Sequence, residues 1–259
     1  MIQFYAPDIE RTLTLPESDS QHCVRVLRMR AGDEVEVIDG RGHRFRCSLV
    51  DAHSKHAAVE ILERSDMPLG WTQQITVAVA PTKHLDRIEW MVEKLTEIGV
   101  NRIIPLLCRH SERKEIKVER LQKIAVSAMK QSLKAVLPQI DEMTPIRNVI
   151  PQLKGAQRFV AYCDDTVPRV SLARSYRPYG DAAVMIGPEG DFSPEEISEA
   201  IQEGWKPVTL GDNRLRTETA AIVGCDTFHI LDQAHTPVST DTNQPVTSAI
   251  QTDTNDTHP

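Results

Sequence analysis

Aromatic residues are scarce, at 5% of the 259 residues, and no stretch approaches the roughly 18 uncharged apolar residues that a membrane-crossing helix needs. The opening MIQFYAPDIER has no basic segment followed by an apolar one, so no secretory leader is expected and the chain reads as cytoplasmic. The five cysteines, Cys23, Cys47, Cys108, Cys163 and Cys225, are odd in number and never form C-x-x-C. That suggests neither a disulfide framework nor a cysteine zinc site, and leaves buried free thiols as the expectation. The nine histidines show no metal-ligand spacing, so no metal is expected. Neither G-x-G-x-x-G nor G-x-x-x-x-G-K-[ST] occurs, which argues against a dinucleotide site and a nucleotide triphosphatase.

Positive charge is also in deficit: 30 Lys+Arg face 37 Asp+Glu, a net charge of -7. Taken alone this disfavours a nucleic-acid partner, because phosphate neutralisation needs Lys and Arg. The distribution changes the argument. Between Lys83 and Lys134 stand twelve Lys/Arg against seven Asp/Glu, a net +5.

What is present fits a two-domain globular chain, with 40% apolar and 26% charged residues over a length suited to two cores. Residues 1–68 carry short alternating runs. EVEVIDGRGHRFRCSLVDA (34–52) reads as a hairpin, with Val35 and Val37 on one side and Asp39-Gly40-Arg41-Gly42 as the turn, and a small β-barrel with little helix is expected. His22, Arg25, Arg28 and Arg30 precede the hairpin, and Arg41, His43, Arg44 and Arg46 follow across its turn. They form either a solvated charged face or a phosphate-contacting patch.

Met67-Pro68-Leu69-Gly70 punctuates the chain as a linker, and the pattern then changes. ITVAVA (75–80), RIIPLL (102–107), RFVAYC (158–163) and AAVMIG (182–187) are apolar runs of strand length. Helical spacing separates the first two, with Ile88, Met91, Val92, Leu95 and Ile98 ending at Gly99, and a second amphipathic helix is expected from Lys117 to about Leu133. Strands alternating with helices predict an α/β domain over 72–233, with a parallel sheet covered on both faces. From about Ala234 to Pro259 the composition is polar, without Lys or Arg, and a disordered tail is expected.

The chemistry is concentrated late in the chain. In Ile186-Gly187-Pro188-Glu189-Gly190-Asp191-Phe192-Ser193-Pro194-Glu195-Glu196 an apolar strand ends at glycine, a tight loop follows, and a helix opens with Ser193 as N-cap, Pro194 first and Glu196 completing a capping box. Open α/β sheets bind ligands at such carboxyl-end loops, and glycine there admits a ligand against bare backbone. Pro207-Val208-Thr209-Leu210-Gly211 repeats the grammar. It runs through Asp212-Asn213-Arg214-Leu215-Arg216 to a helix with Thr217 as the candidate N-cap and a small-residue face at Ala220, Ala221, Val223 and Gly224. Two such loops side by side make a pocket.

IGPEGDFSPEE (186–196) together with LGDNRLRTETAA (210–221) resembles the signature of the 16S ribosomal RNA uridine N3-methyltransferases, in the trefoil-knotted SPOUT superfamily. The resemblance extends to HCVRVLR (22–28) with Gly32-Asp33, Lys83, EKLTEIGV (93–100), Ile104-Pro105-Leu106, Arg109-x-Ser111-Glu112-Arg113 and Gln131-Ser132. Two departures stand out: Asp191, where many members carry a second glycine, and Lys134, near a common arginine.

The resemblance implies a knotted C-terminal α/β domain behind a PUA-like β-barrel, a homodimer, S-adenosyl-L-methionine as cofactor, and 16S rRNA or the small ribosomal subunit as partner. It implies that Ile186, Gly187, Pro188 and Gly190 from the first loop, and Leu210, Gly211, Leu215, Thr217 and Ala220 from the second, line the cofactor. Ile186 and Leu215 would pack on adenine. Arg216 is the candidate for stabilising a uracil anion, Glu189 or Glu218 for taking its proton, and Arg25, Arg28, Lys83, Arg109 and Arg113 for RNA phosphates. A 2′-O-ribose methyltransferase of the same superfamily is the nearest rival, although LRTETA (215–220) replaces the asparagine-containing loop expected there. A catalytically silent RNA-binding module is the rival from another class, and intact glycine loops weigh against it.

Overall fold

The computed structural model describes residues 3–163 and 168–236. The amino-terminal part contains β1 (Gln3–Tyr5), two short helices α1 (Ile9–Thr12) and α2 (Glu17–Gln21), a π-helical turn His22–Val26, and strands β2 (Glu34–Ile38), β3 (His43–Asp51) and β4 (Ala58–Asp66). The sheet runs β1-β2-β3-β4, parallel at β1–β2 and antiparallel elsewhere. Period-2 alternation turns Val35, Val37, Phe45, Cys47 and Leu49 into one core with Phe4, Ile9, Leu15 and Val59. The hairpin turn is built around the Asp39 carboxylate, which accepts N–H bonds from Arg41 (2.8 Å) and His43 (3.1 Å) between Gly40 and Gly42, both at positive φ.

Two expectations change here. Residues 9–26 hold more helix than short strands alone would, because helices of four or five residues fall below the window in which periodicity is legible. The arginines flanking the hairpin turn are engaged. Arg44 pairs with Glu36, Arg46 with Glu34 and Glu63, and Arg41 and His43 with Asp39, so this half of the basic cluster is neutralised by carboxylates.

The second part runs β5 (Ile75–Val79), α3 (Leu85–Ile98), β6 (Arg102–Leu107), α4 (Val118–Gln131), β7 (Gln139–Ile140), β8 (Thr144–Pro145) and α5 (Ile146–Val149). It continues through β9 (Gln157–Ala161), β10 (Val170–Ser171), α6 (Leu172–Ser175), β11 (Ala182–Ile186), α7 (Pro194–Gln202), β12 (Lys206–Thr209) and α8 (Thr217–His235). All pairings are parallel in the order β10-β12-β9-β11-β5-β6-β7, with β8 against β6. Alternate strand residues enter different cores. Val77, Val79, Val184 and Ile186 face α3, α4 and α8, whereas Ala78, Ile104 and Met185 face α5, α7 and Trp205.

After β12, which lies between β10 and β9, the chain returns to the middle of the sheet, where α8 packs on β5, β11 and α3. Gly224 permits that approach, since a Cβ there would stand 3.2 Å from Val184 Cγ1. The far end of α8 is pinned as well: buried Asp232 accepts from Gln73 Nε2, from Tyr176 Oη at 3.1 Å and from Tyr179 N at 2.7 Å. Burial, with the Asp232 carboxylate adding to it, pushes the Tyr176 hydroxyl far above its ordinary pKa. This clamp carries the helix through Ala234 and His235, past the expected start of the polar tail, and residues 237–259 lie outside the described residues.

The two sheets are joined by backbone. Gly42 N donates to Ala135 O and Leu137 N to Gly40 O, both at 2.9 Å, over a buried cluster of Ile38, Met129 and Ala135. Lys130 Nζ reaches Asp19 Oδ1 at 2.8 Å beside this seam.

Candidate active site

A cleft of about 560 Å³ opens at the carboxyl ends of β9, β11 and β12, where Ile186, Val208 and Leu210 supply apolar wall beside several charged groups. It is within the range of small-molecule sites.

The first loop leaves β11 at Gly187. A side chain there would come within 3.1 Å of the Phe192 ring and 3.2 Å of Asp191 Oδ1, so close approach is the reason for glycine. Gly190 lies against His110, 3.3 Å from where a Cβ would stand. Positive φ falls on Asp191 (62°), a departure from the expected glycine, and Asp tolerates that conformation through local bonds. Its Oδ1 accepts Phe192 N–H and its Oδ2 accepts Cys163 N–H, both at 2.8 Å, which ties the loop after β9 to the loop after β11. The capping box forms as read: Glu196 N–H donates to Ser193 Oγ (3.3 Å) and Ser193 N–H to Glu196 Oε2 (2.8 Å).

In the second loop Gly211 has φ 128°, and a Cβ added there would meet no other part of the described chain within 4 Å, so bare backbone faces the cleft. Thr217 is a correction. The N-cap of α8 is Arg216, and Thr217 is the first helical residue, buried, with Oγ1 donating to Gly187 O at 3.2 Å. Its hydroxyl therefore joins the two loops and caps neither.

All nine expected cofactor-lining positions border this cleft, and so do Glu189, Arg216 and Glu218. Glu189 and Arg216 are exposed at its mouth, whereas Glu218 is buried, with Arg87 Nη1 3.8 Å from Oε1. Arg87, Tyr162, Cys163 and Arg169 also line the wall and were missed in the sequence. Arg87 follows β5 and the others follow β9, so the rule that ligands meet carboxyl-end loops could have found them. Four of the five cysteines are buried, while Cys163 is exposed here.

The residues expected at phosphates are dispersed. Arg25 and Arg28 are exposed beside the π-helical turn and make no ion pair among the described residues. Lys83 lies 3.7 Å from Glu112, and Arg109 is 3.1 Å from Glu195. Ser193, the helix backbone and Arg109 hold the Glu195 carboxyl below its usual range. Arg113 is a brace: its guanidinium donates to Thr82 O at 3.1 Å and Lys83 O at 2.6 Å. Lys134 turns inward, Nζ donating to Glu97 O (2.6 Å) at the end of α3, and burial lowers its pKa against the pull of Glu97. Among the described residues no group of three or more His, Cys, Asp or Glu is placed to hold a metal.

A cleft between two linked loops at the carboxyl ends of parallel strands is where open α/β sheets bind their ligands. Residues 70–229 match the family model described as an RNA methyltransferase domain, and residues 15–62 that of an RNA methyltransferase PUA domain. The chain is 31% identical to the ribosomal RNA small subunit methyltransferase E of Synechocystis sp., over 83% of this chain and 72% of that protein. Among solved structures, a probable rRNA-methyltransferase from Porphyromonas gingivalis superposes with a TM-score of 0.87 at 46% identity, covering 90% of this chain and 99% of that one. The ribosomal RNA small subunit methyltransferase E from Neisseria gonorrhoeae, bound to S-adenosyl methionine, gives 0.78 at 25% identity over 89% and 98%. The chain belongs to the RNA methyltransferase family of which these small subunit methyltransferases E are members.

Proposed function

We propose that this protein transfers a methyl group from S-adenosyl-L-methionine to N3 of a uridine in the 16S rRNA of the small ribosomal subunit. The observation that carries the reading is the joining of two glycine-ended loops by Thr217 Oγ1 and Gly187 O around a cleft that also holds Arg216. The residues present fit the cofactor: Gly211 leaves open backbone, and Ile186, Leu210 and Leu215 offer apolar surface for a flat heterocycle. Gly187, Pro188, Gly190, Thr217 and Ala220 complete that wall.

When bound, S-adenosylmethionine supplies an electrophilic methyl group on a sulfonium. The protein must make uracil N3 nucleophilic and hold it in line, since the neutral N3–H form is unreactive. Arg216, exposed at the mouth, stabilises the imide anion through its guanidinium. Glu189 on the first loop receives the N3 proton. It is preferred over Glu218 because it reaches the open side of the cleft, whereas Glu218 is buried beside Arg87.

RNA is held by Arg25 and Arg28 on the amino-terminal domain, spanning 1–68, and by Lys83 and Arg109 at the rim of the catalytic domain, spanning 72–233. Arg113 fixes the backbone that presents Lys83. The return of α8 from β12, second from the sheet edge, to the centre of the sheet supports a trefoil knot in the catalytic domain. Exposed Trp90 on α3 and Ile230 on the adjoining α8 support a homodimer through these helices. We place the protein in the cytoplasm, where its substrate is found.

Purified protein incubated with labelled S-adenosylmethionine and small subunits lacking the modification should yield 3-methyluridine on nucleoside mass spectrometry. A methylated ribose would instead select 2′-O chemistry, and unlabelled RNA despite cofactor binding would remove this substrate.

A further inference from the structure

Glu218 is the most deeply buried carboxylate in the cleft, only 6% exposed, on the second residue of α8. A buried carboxylate ordinarily has several hydrogen bonds. This one has Arg87 Nη1 at 3.8 Å, an ion-pair distance and not a hydrogen bond, and its oxygens accept no hydrogen bond from the described residues. Arg87 comes from the first turn of α3, lines the same cleft and keeps 36% of its side chain exposed. The wall therefore carries an acid and a base side by side, each with bonding capacity left over.

A pair of this kind is complementary to a zwitterion. An ammonium can supply the donors that Glu218 lacks, and a carboxylate can meet the planar donor fork of Arg87. A phosphate would meet repulsion from Glu218, and a neutral base would leave both charges unanswered. Resting on the cofactor reading above, we propose that Arg87 and Glu218 form the subsite for the amino-acid end of the cofactor, Glu218 taking the α-ammonium and Arg87 the α-carboxylate. Glu218 is then a binding group, which leaves proton removal to Glu189. Leu210, Leu215 and Ile186 remain for the heterocycle.

Equilibrium binding by calorimetry, without RNA, tests this with three thioether probes: S-adenosylhomocysteine, its decarboxylated analogue and 5′-methylthioadenosine, which has no amino-acid end. The unaltered protein should prefer S-adenosylhomocysteine to 5′-methylthioadenosine by about tenfold or more, the worth of one charge-assisted contact. Arg87→Gln should weaken S-adenosylhomocysteine about tenfold, with the decarboxylated analogue and 5′-methylthioadenosine unchanged. Glu218→Gln should weaken both amine-bearing probes and spare 5′-methylthioadenosine, whose binding also reports an intact cleft. Equal weakening of all three probes by both variants, or no weakening of any, would overturn the subsite. Failure of the unaltered protein to bind any adenosyl probe would instead overturn the cofactor reading itself.

Discussion

Arg216 and Thr217 are consecutive, and their surroundings give them opposite work. Thr217 is buried and spends its hydroxyl on Gly187 O, whereas Arg216 is exposed and makes no ion pair among the described residues. The first is a fastener and the second is free to act on a substrate. Arg216→Ala should therefore lower single-turnover methylation about 100-fold or more while cofactor affinity stays within about twofold, because a donor aimed at developing charge matters mainly in the transition state. Rapid-quench methylation and equilibrium dialysis measure the two quantities separately. An unchanged rate would take Arg216 out of the mechanism. Asp191 shows what one letter of sequence conceals: its identity was legible as a departure from glycine, yet its positive φ and its bond to Cys163 N became visible only in three dimensions.

At the scale of elements, the parts read successfully are those whose cause is local. Ser193, Pro194 and Glu196 encode a helix start within four residues, and the capping box is present in the structure. Removing the cap by Ser193→Ala should cost about 1 kcal/mol of stability, read from the midpoint of a urea titration at unchanged slope. No shift in midpoint would mean that the Glu196 half of the box suffices. Parts with non-local causes were misread. Thr217 resembles a cap in sequence, but a carbonyl thirty residues earlier claims its hydroxyl. Arg87 was missed because α3 opens after His84 with no side-chain cap and no glycine stands between β5 and α3, so only the general rule about carboxyl-end loops pointed to it. Strands β7 and β10, two residues each, exist by pairing with β6 and β12 and leave no periodic trace.

Across the whole molecule, the junction between the two sheets was invisible in sequence because its residues are far apart along the chain. Asp19 accepts from Tyr5 N at 2.8 Å and from Lys130 Nζ at 2.8 Å, and the Lys130 ammonium also lies 5.9 Å from the Phe4 ring centre. Both side chains are mostly buried, at 12% and 22% exposed, so removing one partner strands the other. Such a seam should make the two parts unfold together. Trp90 and Trp205 lie in the second part and Trp71, just ahead of it, packs on its His229 ring at 4.7 Å, so tryptophan fluorescence follows that part while far-UV circular dichroism follows the whole chain. In the unaltered protein the two melting curves should coincide. Asp19→Ala should cost about 2 kcal/mol and separate them, the dichroism beginning to fall before the fluorescence changes. Coincident curves at an unchanged melting temperature would show that the backbone bonds at Gly42 and Leu137 hold the seam without the ion pair.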